Sequence, residues 1–200
     1  MALLRQWRTE IANSSVRVLF LDECHLLWGD SCGYTWGKRN QRVKVPIASP
    51  KQRQTYFGAL DYHTKRFEVH PYDTGNTENT ITFLQYLLSL DAQARLVLIW
   101  DGVPYHCSKE LREFLSQVNG NLLPEQWRIR CIQLAPYAPE QNPVEDIWLE
   151  AKRILRQCHR LCTSFVRVKC LFEFVIHRQV FTFIKLFMYD PDSPMHNFCS

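Results

Sequence analysis

Three carboxylates stand in distinctive local surroundings in this sequence. Asp22 closes the run "VLFLD", Asp101 closes "VLIWD", and Glu145 follows the proline-studded stretch "LAPYAPEQNP". The first two runs are apolar and β-branched, so each reads as a buried strand ending in acid. A carboxylate leaving a buried strand is costly without a counter-charge. Two such strands side by side would hold two carboxylates close together, where they repel unless one is protonated or a cation lies between them. Oxygen-only ligands favour Mg²⁺ or Mn²⁺ over zinc. Two such ions ~3.5–4 Å apart can activate an attacking oxygen and stabilise the leaving oxygen of a phosphodiester. Each acid alone also has a bland reading: Asp forms turns and caps helices, and Glu is favoured near a helix N-terminus by the dipole. Taken together and in this order, Asp22, Asp101 and Glu145 are the expected catalytic, metal-binding set.

The elements that must position these acids follow from periodicity. "SVRVLFLDE" (Ser15–Glu23) reads as the first strand, and Arg53–Tyr72 as two strands around a turn near Tyr62–Lys65. Asn76–Leu90 reads as a helix capped by Asn76 or Thr77, Arg95–Gly102 as a strand, and Ser108–Val118 as a helix opened by its serine. Arg128–Ala135 is a further strand; helices follow from Pro143 to Arg160 and from Thr163 to Met188. Hairpin-linked strands first and alternating units afterwards predict an α/β protein, a mixed five-stranded sheet flanked by helices. Functional groups then gather beyond the carboxyl ends of strands, where Asp22 and Asp101 are expected. Asn142 can cap the Glu145 helix and Pro143 suits its first position. Glu145 is preferred over Asp146 and Glu150, which do not share its face, while Trp148, at i+3, is expected in the core.

The chain has 200 residues, 46% hydrophobic and 22% charged with net charge +4, which suits one globular domain and excludes a disordered chain. The charge is unevenly spread: Lys38–Arg53 and Ala151–Cys170 each hold six Lys/Arg and no acid, a pattern that suits a polyanion or a solvated face. Eight irregularly spaced cysteines, after a start too charged for a secretory signal, read as reduced cytosolic thiols. Cys158, His159, Cys162 and Cys170 resemble a zinc set, but a paired CxxC half-site is missing. No uninterrupted apolar run is long enough for a membrane span, so no membrane partner is expected.

"LFLDE", "IWDGVPYH" and "LAPYAPEQNPVEDIW" together resemble the catalytic domain of bacterial insertion-sequence transposases related to mariner, within the DDE transposase and retroviral-integrase superfamily. The resemblance covers roughly Ser15 to Arg160. It implies a ribonuclease H-like fold, two Mg²⁺ or Mn²⁺ ions, and Asp22, Asp101 and Glu145 as the metal-binding triad. It also implies metal-dependent DNA strand cleavage and strand transfer during transposition, on double-stranded DNA (element ends and target), in a homodimeric synaptic complex. The segment "YTWGKRN" is similar to a family segment that precedes a basic stretch, which makes Lys38, Arg39, Arg42 and Lys44 candidates for DNA-backbone contact. His106 could contact a phosphate or be a surface histidine at a helix start; Lys152, Arg153 and Arg156 could run along the DNA.

The 43 residues between Asp101 and Glu145 exceed the family's usual spacing, with the extra length around Asn119–Trp127. Residues 1–14 are expected to be a linker remnant, 15–160 the catalytic domain, and 161–200 a C-terminal helix and tail packed on it. No helix-turn-helix fits before the first strand, so the expectation is a catalytic half that works with a separate helix-turn-helix protein from an upstream frame, or a truncated regulatory remnant. A metal-dependent RNase H-like nuclease is the other alternative. The expected location is the prokaryotic cytoplasm, at the nucleoid.

Overall fold

A computed structural model describes residues 2–32, 38–40, 52–102, 108–135, 141–177, 180, 181 and 186. Two short helices, α1 (Ala2–Gln6) and α2 (Arg8–Ala12), lead into β1 (Val16–Leu27); β2 (Arg53–Asp61) and β3 (Phe67–Tyr72) follow. Then come α3 (Thr77–Leu90), β4 (Arg95–Trp100), α4 (Lys109–Asn119), β5 (Ile129–Gln133), α5 (Val144–Gln157) and α6 (Phe165–Ile176). The five strands form one sheet in the order β3-β2-β1-β4-β5. Strands β1, β2 and β3 pair antiparallel, whereas β4 pairs parallel with both β1 and β5. This is the mixed sheet that hairpin followed by α/β units predicts.

The period of two along a strand sorts the core into two layers. Val18, Phe20, Cys24 and Leu26 of β1, with Val97 and Ile99 of β4, pack with Ile147, Trp148, Ala151 and Leu155 of α5 and Phe172 of α6. Leu19 and Leu21, with Leu96, Leu98 and Trp100, pack on the other face against Phe83, Leu84 and Leu87 of α3 and Leu111 of α4. Asp22 continues the first row, between Phe20 and Cys24, and Asp101 continues the row of Val97 and Ile99. Alternation along β1 therefore carries Asp22 to the α5 face, and Asp101 follows the last residue of β4.

Local chemistry sets the ends of the elements. The Asn76 side chain accepts from Asn79 N at 2.8 Å, and Ser108 Oγ from Leu111 N at 3.2 Å, each satisfying an orphan N–H of a helix start. In the β2–β3 turn, Asp61 Oδ1 accepts the backbone N–H groups of His63 and Thr64, both at 2.9 Å. Its other oxygen accepts from Arg17 Nε at 2.9 Å, so the buried acid is both turn former and ion-pair partner.

Three boundaries differ from expectation. Strand β1 does not end at Glu23 but continues to Leu27, because β2 pairs with it as far as Leu27↔Arg53. The last helix starts after Ser164, whose Oγ accepts from Arg167 N at 3.4 Å, rather than after Thr163. It stops at Ile176 instead of Met188. Val180 then pairs with Arg66 as an isolated bridge, Phe181 N donates to Lys65 O at 2.9 Å, and the Phe181 ring meets Phe67 edge-on at 5.6 Å. Val180 and Phe181 are thus anchored on the β2–β3 turn, within the span where helical spacing predicts a continuous helix.

Asp61→Ala should lower unfolding stability by about 1.5–3 kcal/mol, since it removes the charged hydrogen-bond partner of a partly buried guanidinium and of two turn N–H groups. Lys109→Ala, which removes an exposed pair with Glu113, should change it by less than about 1 kcal/mol. Urea denaturation of both variants checks the contrast.

Candidate active site

The parallel ladder between β1 and β4 runs from Val16↔Arg95 to Phe20↔Ile99. Two further steps in the same register set Asp22 opposite Asp101. Strand β4 ends at Trp100, so the carboxylates lie where parallel pairing ceases, while β1 continues along β2. Asp22 is thus within its strand, not at its end.

The third acid arrives through the start of α5. Asn142 is buried, and its Nδ2 donates to Leu21 O at 2.8 Å, the carbonyl immediately before Asp22. Its Oδ1 accepts from Val144 N at 3.2 Å. Asn142 therefore grips the sheet with one end of its amide and the helix with the other. Pro143, rather than Asn142, occupies the N-cap position, with φ −68° and ψ −15°. Glu145 follows in the first turn, its N–H donating to Asn142 O at 3.2 Å. One turn later the Trp148 Nε1–H donates to Asp22 Oδ2 at 3.0 Å.

The electrostatics of Asp22 record this gathering. Burial first, and then the charges of Glu145, Glu23 and Asp101, push its carboxyl up to about 8. Glu145 is the strongest of these like charges, ahead of the sequence neighbour Glu23. Asp101 and Glu145 are thus each within electrostatic reach of Asp22. Among the described residues, no three His, Cys, Asp or Glu side chains close into a preformed metal-ligand set. The donors are all carboxylate oxygens, and the N–H beside them is neutral. That chemistry fits a hard divalent cation.

The expected basic residues fare differently. Lys38 and Arg39 are exposed. Lys152 is engaged internally, 3.3 Å from Asp30 Oδ2 and 3.4 Å from His25 O. Arg153 makes two contacts with Glu150, at 2.7 and 2.6 Å. Arg156 is half-buried in the last turn of α5. Arg42, Lys44 and His106, like Trp36 and Gly37, lie outside the described residues. Trp148 packs in the core as expected, stacked on Phe172 at 6.1 Å. Its bond to Asp22 was not anticipated, and neither was Gly58, which pairs with Asp22 across the β1–β2 ladder.

The mixed sheet with helices on both faces is the ribonuclease H-like architecture of DNA-processing nucleases and transposases. The chain is similar in fold to the Mos1 transposase in a paired-end complex with the left transposon end: TM-score 0.50, 15% identity, covering 77% of this chain and 46% of that one. It is also similar to the Mos1 strand transfer complex, at TM-score 0.52 and 16% identity, over 89% of this chain and 52% of that one. It spans about half the length of either. No curated protein matches it. Residues 17–168 match the DDE superfamily endonuclease family, and the chain belongs to that family.

A raised carboxyl has a signed consequence for stability. Between the ordinary value of 3.8 and about 8, the folded metal-free chain keeps a proton on Asp22 that the unfolded chain has released. Raising pH through that window therefore favours unfolding, and above it the penalty is complete. Thermal melts in chelator should show Asp22→Asn gaining stability over the parent as pH rises from about 4 to 8; parallel profiles would contradict the assignment.

Proposed function

We propose that this chain is the catalytic part of a DDE transposase of an insertion sequence, performing metal-dependent DNA strand cleavage and strand transfer. The observation that carries the reading is the convergence of Asp101 and Glu145 on Asp22, from an adjacent strand and from a helix tied to β1 by Asn142. Asp22, Asp101 and Glu145 would hold two Mg²⁺ or Mn²⁺ ions. Bound there, such a pair supplies activation of an attacking oxygen and charge stabilisation of the leaving one.

The chain's own contribution is placement. Parallel pairing of β1 with β4 up to Phe20↔Ile99 supports a close approach of Asp22 and Asp101, and Asn142 with Pro143 sets the entry of α5 and hence Glu145. Strand cleavage is attack of water on a phosphodiester. Strand transfer is in-line attack of the freed 3′-hydroxyl on a target phosphodiester, without a protein-linked intermediate. Exposed Lys38 and Arg39 are suited to the DNA backbone, together with Arg42, Lys44 and His106. Lys152 and Arg153 would have to exchange Asp30 and Glu150 for phosphate before contributing, and Arg156 lies farther along the same helix. Residues 15–160 form the catalytic unit in this reading; α6 shares one core with α5 through Phe172 and Trp148, in keeping with its packing on that unit. The segment before β1, expected as a linker, instead forms α1 and α2, and Leu4 and Ile11 are buried in the core of that unit. The partners are double-stranded DNA, a second copy in the synaptic complex, and a helix-turn-helix protein from an upstream frame. The place of action is the prokaryotic cytoplasm, at the nucleoid.

The test uses a labelled duplex carrying the inverted repeat that flanks the reading frame, with Mg²⁺ or Mn²⁺. Nicked and joined products are expected from the parent chain, alone or supplemented with the helix-turn-helix partner. Alanine at Asp22, Asp101 or Glu145 should reduce both products to background while nonspecific DNA binding persists. Nicking without joining would favour a plain nuclease, and full activity in any one of the three variants would remove that residue from the triad.

A further inference from the structure

Of the contacts around the acids, one has a geometry that packing alone does not require. The Trp148 indole is 3% exposed, stacks at 15° on Phe172, and meets Phe67 edge-on at 5.3 Å. Two aromatic neighbours thus lock the ring, and its N–H has one fixed direction. That direction ends on Asp22 Oδ2, across 126 residues of sequence. Strand β2 leaves room for it. Gly58 faces Asp22 in the ladder, and a Cβ built there would lie 2.7 Å from Trp148 Cζ2 and 2.4 Å from Phe67 Cζ. A side chain at position 58 would occupy the space the aromatic rings need in order to reach the acid.

We propose that Trp148 is the positioning residue for Asp22: its N–H holds one carboxylate oxygen in place and so fixes how the carboxylate meets a cation, and Gly58 keeps the ring's path clear. The proposal rests on the reading of Asp22 as a metal ligand. An indole suits the task chemically. It is a donor only and carries no charge, so it can orient a carboxylate without competing for the cation or repelling it, as Lys or Arg would. Its place on α5 adds a link. Trp148 lies one turn after Glu145, so the helix that delivers one ligand also orients another, and the two cannot drift apart independently.

Groups that orient ligands from behind typically affect metal affinity by about ten- to a hundredfold. Trp148→Phe keeps an aromatic ring and removes the N–H; benzothienylalanine at position 148 keeps the full bicyclic shape without the N–H; Gly58→Ala displaces the ring. Each is compared with Asp22→Asn in Mn²⁺ titrations of the intact chain, read by the electron paramagnetic resonance signal of free Mn²⁺, with circular dichroism as a check on folding. The expected result is Mn²⁺ binding weakened about ten- to a hundredfold by the benzothienyl replacement and by Trp148→Phe, in folded protein. In cleavage assays the half-saturating Mn²⁺ concentration should rise in parallel, with the rate at saturating metal changing less. Parent-like Mn²⁺ affinity in the benzothienyl variant, with binding lost in Asp22→Asn, would overturn the role of Trp148 and leave the ligand assignment standing. Parent-like affinity in Asp22→Asn would overturn that assignment, and the proposal with it.

Discussion

Like-charge repulsion is the constraint around which this fold is organised. A carboxylate within β1 and another just past the end of the neighbouring parallel strand repel each other, and burial raises the cost. Contacts from several elements hold Asp22 there. Strand β2 braces β1 beyond Asp22, where β4 no longer does; Asn142 ties the preceding carbonyl to the head of α5; Trp148 occupies one Asp22 oxygen. The tension is expressed in a carboxyl pushed to about 8. A site that resists ionisation when empty of cations has a strong electrostatic reason to bind them.

The two layers of the core divide the labour. On one face, α3 and α4 cover Leu19, Leu21, Leu96 and Leu98 with apolar side chains. On the other, α5 covers a row that begins apolar, at Val18 and Phe20, and turns acidic at Asp22. Helix α5 mirrors that change along its own length. Its N-terminal turn presents Glu145, whereas Ile147, Ala151 and Leu155 farther along are buried. The site is therefore the polar end of an otherwise apolar sheet–helix interface, and its rigidity is borrowed from that interface.

Much of this arrangement is legible in the sequence. The runs ending in Asp22 and Asp101 read as buried strands, the turn at Tyr62–Lys65 and the caps at Asn76 and Ser108 follow from residue chemistry, and hairpin followed by α/β units gives the mixed sheet. The alternation 18-20-22, which carries Asp22 to the α5 face, was also available in the sequence. What periodicity could not supply depends on contacts distant in sequence. β1 extends to Leu27 because a strand thirty residues away pairs with it. The last helix stops at Ile176 because the chain must next meet the β2–β3 turn. Lys152 looked like a free cation until the fold brought Asp30 to it, and nothing local to "EDIW" says where the indole N–H points.

The central claim is that Asp22, Asp101 and Glu145 share one divalent-cation centre. Anomalous diffraction from crystals of the chain grown with Mn²⁺ tests it most directly. Manganese peaks between Asp22 and Asp101, with Glu145 Oε atoms at ligand distance from one of them, are the predicted result. Manganese bound elsewhere at full occupancy, with the three carboxylates unliganded, would contradict it.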